Sequence, residues 1–296
     1  MGARILGMLP ESWVPYVLHT RPGAWPIVFA HMTVGYLLAS GMRVTLDDVA
    51  VYLCAAVIWV VFGNGGGVAL NSAFDHDTGD ITFLENPPPA PRYLAHFGLA
   101  LMGSGLALAL AIGTRFFLVS LAAGLAGFFY SVPPVRFKKR PGLDVMTNAL
   151  VYGSLTPLAG WVATDRPLGP PMTNLLLAYL LLGWGSVPPG QIFQMEEDAA
   201  RGDRTWALVL GKKGTLRLSM LAILAANGVL LVEVAKRYWG PRSIGLLAVL
   251  GFWCAVFVPW YKSYATVGSD YEQRRMYLVA TGLAATDAAI LLAMAG

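Results

Sequence analysis

Two segments of this chain carry nearly the same set of polar groups. In NSAFDHDTGD, residues 71–80, and in QMEEDAARGD, residues 194–203, a carboxamide comes first. An Asp follows four residues on, a Gly eight on and a second Asp nine on. The groups are Asn71, Asp75, Gly79 and Asp80 in one segment and Gln194, Asp198, Gly202 and Asp203 in the other. Residues four apart share one face of a helix, so Asn71 with Asp75, and Gln194 with Asp198, point together. A glycine after them suits a helix C-cap with positive φ and leaves the next Asp on a loop that can turn back. His76 and Asp77 crowd the first segment, Glu196 and Glu197 the second. Hard oxygen donors of this kind suit Mg2+, which takes a few carboxylates and fills its other positions with water and phosphate oxygens. The pair predicts Mg2+ bridging a diphosphate, with Asn71, Asp75, Asp77, Asp80, Asp198 and Asp203 as candidate ligands. The bland alternative is two solvated acidic helix ends, and it leaves acids placed against the helix dipole without a reason.

A diphosphate also calls for cations. The segment YSVPPVRFKKRPGLD, residues 130–144, supplies Arg136, Lys138, Lys139 and Arg140, and prolines at 133, 134 and 141 stiffen it. Arg136 and Lys138 read as a clamp on the leaving group, with Tyr130 as an additional donor. Lys139 alternates away from them if the segment is extended, and reads as an ordinary loop charge. Arg21, in HTRPGAW, is either a phosphate or acceptor contact or an interfacial anchor beside Trp25. Asp144 and Asn148, four apart, either line the same pocket or serve the helix start, with Asp144 as cap. Gln194, which opens the second segment, and Arg204, which follows it, complete the candidate substrate contacts.

These groups need a scaffold, and the composition names its solvent. Of 296 residues, 56% are hydrophobic and 13% charged, against about a quarter charged in an ordinary soluble domain. Apolar runs predict nine membrane spans at 22–42, 49–70, 93–113, 116–132, 145–163, 172–195, 214–235, 243–261 and 276–296. The fourth and seventh are the weakest; only fifteen uncharged residues separate Arg217 from Glu233. The expectation is an all-α polytopic membrane protein, one domain over 1–296, with its helices around a central cavity. With the N-terminus inside, fifteen Lys and Arg fall on the inner side and six on the outer, as the positive-inside rule requires. No secretory signal is visible in the opening residues, which agrees with a cytosolic N-terminus and an outer C-terminus. Twelve of the seventeen acids also fall inside, which topology alone does not require. Both paired segments and the basic loop therefore face the cytosol.

Smaller signals have plainer readings. The net charge of +4 is distributed for topology and does not suggest a nucleic-acid binder. Cys54 and Cys254 lie in apolar runs and read as small packing residues. GNGGG, residues 63–67, looks like a phosphate loop but lies inside a span and reads as close helix packing or a flexible turn. His31 and His96 read as packed or interfacial residues, NPPPAP, residues 86–91, as a stiff linker, and Asp287 as a residue facing the bundle interior with no assigned role.

Taken together, these residues resemble the UbiA superfamily of intramembrane prenyltransferases. That family has nine membrane helices, acidic motifs after the second and sixth, and a Tyr-Ser segment with a downstream base after the fourth. Tyr130, Ser131, Arg136 and Lys138 match the last; PGLD at 141–144 and GDRTWALVLG at 202–211 resemble its flanking sequence. Two positions depart from the pattern. Gly79 stands where the first motif usually has its second acid, leaving Asp80 or Asp77 to supply that ligand, and Gln194 stands where the second motif usually begins with Asp.

The resemblance implies Mg2+-dependent transfer of a prenyl group from a polyprenyl diphosphate to a hydrophobic or aromatic acceptor within the lipid bilayer. Asp75 and Asp198, with Arg136 and Lys138, would be the catalytic groups. The basic segment reads closest to members acting on large hydrophobic acceptors such as carotenoids or chlorophyllide. A terpene cyclase acting on the diphosphate alone is the rival enzyme. A transporter is the rival from another class, and the gathering of acids on one side argues against it.

Overall fold

The computed structural model describes residues 9–75, 80–200, 202–237 and 239–294. Among these the chain is helical nearly throughout, and the only β pairing is an isolated bridge between Ile81 and Leu84. Nine rods follow in order: α1 Trp25–Ser40, α2 Leu46–Asp75, α3 Leu94–Ile112, α4 Thr114–Ser131 and α5 over 143–162. Then come α6 Pro170–Ile192, α7 Trp206–Arg237, α8 Ile244–Ser263 and α9 Ser269–Met294. Seven of the described helices are long and apolar enough to cross a membrane. The two that fall short are α1, of 16 residues, and the interrupted α5.

Of the two spans expected to be weak, α4 is the shortest of the seven at 18 residues, whereas α7 is not weak. α7 covers 32 residues with a break at Gly211, where φ is 67°. The stretch beyond the break continues past Glu233, which is buried against Arg237 at 2.8 Å and accepts from Asn174 at 2.7 Å. A charge satisfied inside the protein does not end a membrane helix.

Backbones approach closely where glycine allows it. A Cβ at Gly35 of α1 would lie 1.7 Å from the Pro157 carbonyl oxygen, and one at Gly160 of α5 would lie 1.9 Å from that of Met32. The two helices thus touch main chain to main chain, a use of small residues common in membrane bundles. Gly66, from GNGGG, meets Gly98 of α3 in the same manner, as the sequence predicts. The remaining outcomes are mixed. Cys54 and Cys254 are exposed rather than packed, because they fall on outward faces of their helices. His96 is exposed beside Tyr93, while His31 and Asp287 are buried. The proline linker is tethered where the His19 ring nitrogen Nε2 lies 3.0 Å from the Pro88 carbonyl oxygen.

The core has two parts. Tyr179, Trp253, Phe257 and Trp260 centre one among α6 to α9; Tyr36, Tyr52, Trp59 and Phe116 centre the other among α1 to α5. α1 feeds both, with Val34 and Ala39 in the first and Val28 and Met32 in the second. α9 packs on α1 and α6 on α5, which closes the bundle around an internal cavity. Two π-helical stretches, Ile58–Gly65 in α2 and Ala149–Leu155 in α5, turn residues of both helices toward that space. Such wide turns recur at functional sites.

Candidate active site

The cavity has a volume of about 390 Å3. Arg21, Asn71, Asp75, Tyr130, Lys138, Asn148, Gln194, Asp198 and Asp203 all line it. They come from the segment before α1, from α2 and α4, from the basic loop, from α5 and from the loop after α6. The ends of α2 and α6 therefore converge, as the paired motifs predict. A direct contact ties the two segments: the Gln194 side-chain amide donates to the Asp80 carbonyl oxygen at 3.3 Å.

The first segment ends α2. Lys138 forms an ion pair with Asp75, and Arg136 reaches the same carboxylate at 3.3 Å and the Phe74 carbonyl oxygen at 3.3 Å. The side chains of Lys138 and Asp75 are each 8% exposed, so this pair sits largely out of solvent, where an unpaired charge is costly. Ser131 donates to the Asn71 carboxamide oxygen at 3.4 Å, and Arg21 to Ser72 at 3.3 Å. Arg21 and Arg136 both have left-handed backbones, with φ of 51° and 36°. That conformation disfavours side chains other than glycine and clusters at functional sites.

Asp80 takes a different position from the one expected of a ligand. Its carboxylate accepts from the Asn86 backbone N–H at 2.8 Å and from Gln273 at 3.5 Å, closing its own loop, and it is not part of the cavity wall. Asp77, with His76 and Gly79, lies outside the described residues.

The second segment keeps its geometry within a short helix, Met195–Ala200. Asp198 donates its N–H to the Gln194 carbonyl oxygen at 2.9 Å, so the helical spacing of these two holds. Gly202 has φ 72°, and the Asp203 N–H returns to the Asp198 carbonyl oxygen at 2.9 Å. The predicted glycine turn thus brings Asp203 back to the cavity, 7% exposed beside Asp198 at 6%. Lys139 meets Asp203 at 2.6 Å. The basic loop is not extended here: Phe137–Lys139 form a 3-10 turn, which sends adjacent lysines to different partners. Lys138 serves the first segment and Lys139 the second, where sequence spacing had set Lys139 aside.

Asp144 and Asn148 divide the two roles proposed for them. Asn148 lines the cavity, while Asp144 is fully buried outside its wall. The Asp144 carboxylate accepts from Gly142 N–H, Gln191 Nε2 and Trp206 N–H, each at 2.8 Å. It joins the starts of α5 and α7 to the end of α6. Gln191 also accepts from the Ala207 N–H at 3.1 Å and lines the cavity; a carboxamide three residues before Gln194, closing an apolar run, was the signal for it. Arg204 is exposed and stands off the cavity, because the turn that brings Asp203 inward sends its neighbour out.

Among the described residues no group of three or more His, Cys, Asp or Glu closes on one point. The arrangement still fits Mg2+. Asn71, Asp75, Asp198 and Asp203 are hard oxygen donors around one opening, and a diphosphate would supply further oxygens. Lys138 and Arg136 together hold the charge of Asp75, and Lys139 holds that of Asp203, across this opening.

The sequence profile of the UbiA prenyltransferase family matches residues 25–280. A lycopene elongase/hydratase of Haloarcula japonica is 26% identical over 283 residues, which is 89% of this chain and 92% of that protein. A C(50) β-cyclic carotenoid biosynthesis protein of Dietzia sp. is 27% identical over 253 residues, 80% of this chain. The chain spans about half the length of that relative, 54%. Among solved structures, a UbiA homologue of Archaeoglobus fulgidus bound to GPP and Mg2+ superposes with a TM-score of 0.69 at 19% identity, covering 94% of this chain and 99% of the other.

Proposed function

The chain belongs to the UbiA prenyltransferase family, and from that premise we propose Mg2+-dependent transfer of a prenyl group from a polyprenyl diphosphate to a hydrophobic acceptor in the bilayer. The observation that carries the reading is the convergence of Asp75 and Asp198, with Lys138, on one cavity. Residues 1–296 act as one catalytic unit, with the cavity mouth on the cytosolic side. That orientation rests on the fifteen-to-six distribution of bases.

Asn71, Asp75, Asp198 and Asp203 are the residues that would hold the metal; when bound, it draws electrons onto the leaving diphosphate. Lys138 and Arg136 move their charge from Asp75 to the departing diphosphate oxygens, and Arg21, which lines the same cavity, adds a third cation. The prenyl tail lies inward, against Val28, Ile58 and Leu106. The rings of Trp59 and Tyr152 face the same space and stabilise the allylic cation that ionisation leaves. The wall beyond the charged mouth is largely apolar, which keeps water from that cation.

For the acceptor we propose a long polyene hydrocarbon of the lycopene type. Support comes from the apolar inner wall and from the carotenoid enzymes among its relatives. The test is direct. The full chain is reconstituted in phosphatidylcholine vesicles with lycopene, dimethylallyl diphosphate and Mg2+, and the lipids are read by mass spectrometry. The expected product is heavier than lycopene by one or more prenyl units, and EDTA removes it. A protein that consumes neither dimethylallyl nor geranyl diphosphate with lycopene, chlorophyllide or a lipid alcohol would overturn the reading.

A further inference from the structure

Asp287 is an ionisable residue deep in α9, and such residues in a membrane bundle mark function more often than packing. It is 3% exposed and has two partners from distant parts of the chain. The His31 ring nitrogen Nδ1 of α1 lies 2.7 Å from one carboxylate oxygen, and the Tyr179 hydroxyl of α6 donates to the other. Three helices thus meet in a buried Tyr–Asp–His chain. His31 is itself 5% exposed and lines the cavity. Its second nitrogen, Nε2, has no hydrogen-bond partner among the described residues. A carboxylate beside Nδ1 favours the neutral tautomer in which Nδ1 carries the proton, and in that tautomer Nε2 keeps a lone pair. This is the arrangement by which a carboxylate orients an imidazole as a base.

The position suits a specific step. His31 is six residues into α1 from Trp25, about 9 Å along the axis, so it lies inward of the charged mouth. The charged residues at the mouth take the diphosphate, yet none of the roles assigned to them removes the last proton of the reaction. When an allylic cation adds to an alkene, the C–O bond to diphosphate has broken with its electron pair on the leaving group. The alkene π pair forms the new C–C bond, and positive charge moves to the acceptor's more substituted carbon. That charge is discharged when a neighbouring C–H bond breaks and its electron pair becomes a new C=C.

We propose that His31 Nε2 accepts that proton, with Asp287 stabilising the imidazolium and Tyr179 positioning Asp287. The proposal rests on the prenyl-transfer reading of the same cavity. It makes His31 a catalytic residue, and Asp287 and Tyr179 positioning residues.

The experiment uses the full chain in phosphatidylcholine vesicles, with dimethylallyl diphosphate, Mg2+ and lycopene. Wild type, His31→Gln, Asp287→Asn and Tyr179→Phe are compared for the rate and identity of prenylated products. Mg2+-dependent affinity for geranyl diphosphate serves as the control. For His31→Gln, donor affinity stays within about twofold while prenylated alkene falls about a hundredfold, the range of a lost general base. Water-trapped alcohol rises as a share of the residual product. Tyr179→Phe, which keeps His31 in place, shows the same shift in product ratio with a smaller loss of rate. A purely structural clamp would lower the amount of folded protein without moving that ratio. Equal rate and equal product ratio in folded His31→Gln would overturn the proposal alone. If His31→Gln does not fold, an unchanged ratio in Tyr179→Phe would do the same. A wild type that binds no diphosphate and makes no product would instead overturn the functional reading, and the proposal with it.

Discussion

The two acidic segments are nearly the same in sequence and are wired differently. In the first, the helix itself presents Asp75, two cations of the basic loop hold that one carboxylate, and Asp80 turns away to close its own loop. In the second, a short helix and a left-handed glycine present Asp198 and Asp203 side by side, with Lys139 on Asp203. One half therefore has a single cavity carboxylate with its charge fully answered, among the described residues. The other brings two carboxylates to the cavity, and its lysine pairs with the second of them, Asp203. A repeated pattern fixes the kind of donor at each position; the turn that follows decides which donors reach the site.

The largest effect tests what the two halves share. Asp75→Ala and Asp198→Ala each remove the carboxylate that its helix end presents, and each should lower prenyl transfer about a thousandfold, as loss of a central electrostatic group does. The measurement is initial rate at saturating Mg2+. If one variant kept near-normal activity, the site would depend on one segment alone.

The lysines test how they differ. Lys138 is buried on Asp75, whereas the side chain of Lys139 is 35% exposed on Asp203. Lys138→Ala should cost about a hundredfold in rate and Lys139→Ala about tenfold, because a desolvated charge acts more strongly than a solvated one. Reversed magnitudes would place the leaving group on the second segment.

A finer contrast comes from the terminal acids of the two motifs. Asp203→Asn should raise the Mg2+ concentration for half-maximal rate about tenfold, as loss of a supporting ligand does. Asp80→Asn keeps an oxygen that can accept from the Asn86 N–H, so its rate and Mg2+ requirement should stay within about twofold, as for a surface change that leaves its contact intact. Titration of both variants side by side would separate a ligand from a loop closure; equal shifts would return Asp80 to the metal site.

Much of this was legible from periodicity. Spacing of four placed Asn71 with Asp75 and Gln194 with Asp198 on shared helix faces, and apolar runs located all nine rods. What spacing could not supply was partners fixed by packing. Lys139 looked idle because alternation assumes an extended strand, and the 3-10 turn rotates it onto Asp203. Asp144 looked like a cavity residue or a cap of its own helix. It stays out of the cavity wall, and besides the Gly142 N–H at that helix start its oxygens take Gln191 and Trp206, far along the chain. The link from His31 to Asp287 spans 256 positions, and no local pattern carries that distance. The π stretches gave no signal either, since their cause is fit against neighbouring helices rather than composition.

The smallest prediction isolates the turn from the ligand it delivers. Gly202 has φ 72°, and no atom lies within 4 Å of where a Cβ would stand. Gly202→Ala therefore meets no steric obstacle, and its cost is the left-handed backbone alone, about 1 kcal/mol. The hydrogen bond from Asp203 N–H to the Asp198 carbonyl oxygen would still favour the same turn. The unfolding midpoint in detergent should drop slightly, while prenyl transfer per folded molecule stays near the wild-type value. A rate that fell as far as in Asp203→Asn would mean that the turn, and not only the carboxylate it carries inward, is part of what makes the second segment unlike the first.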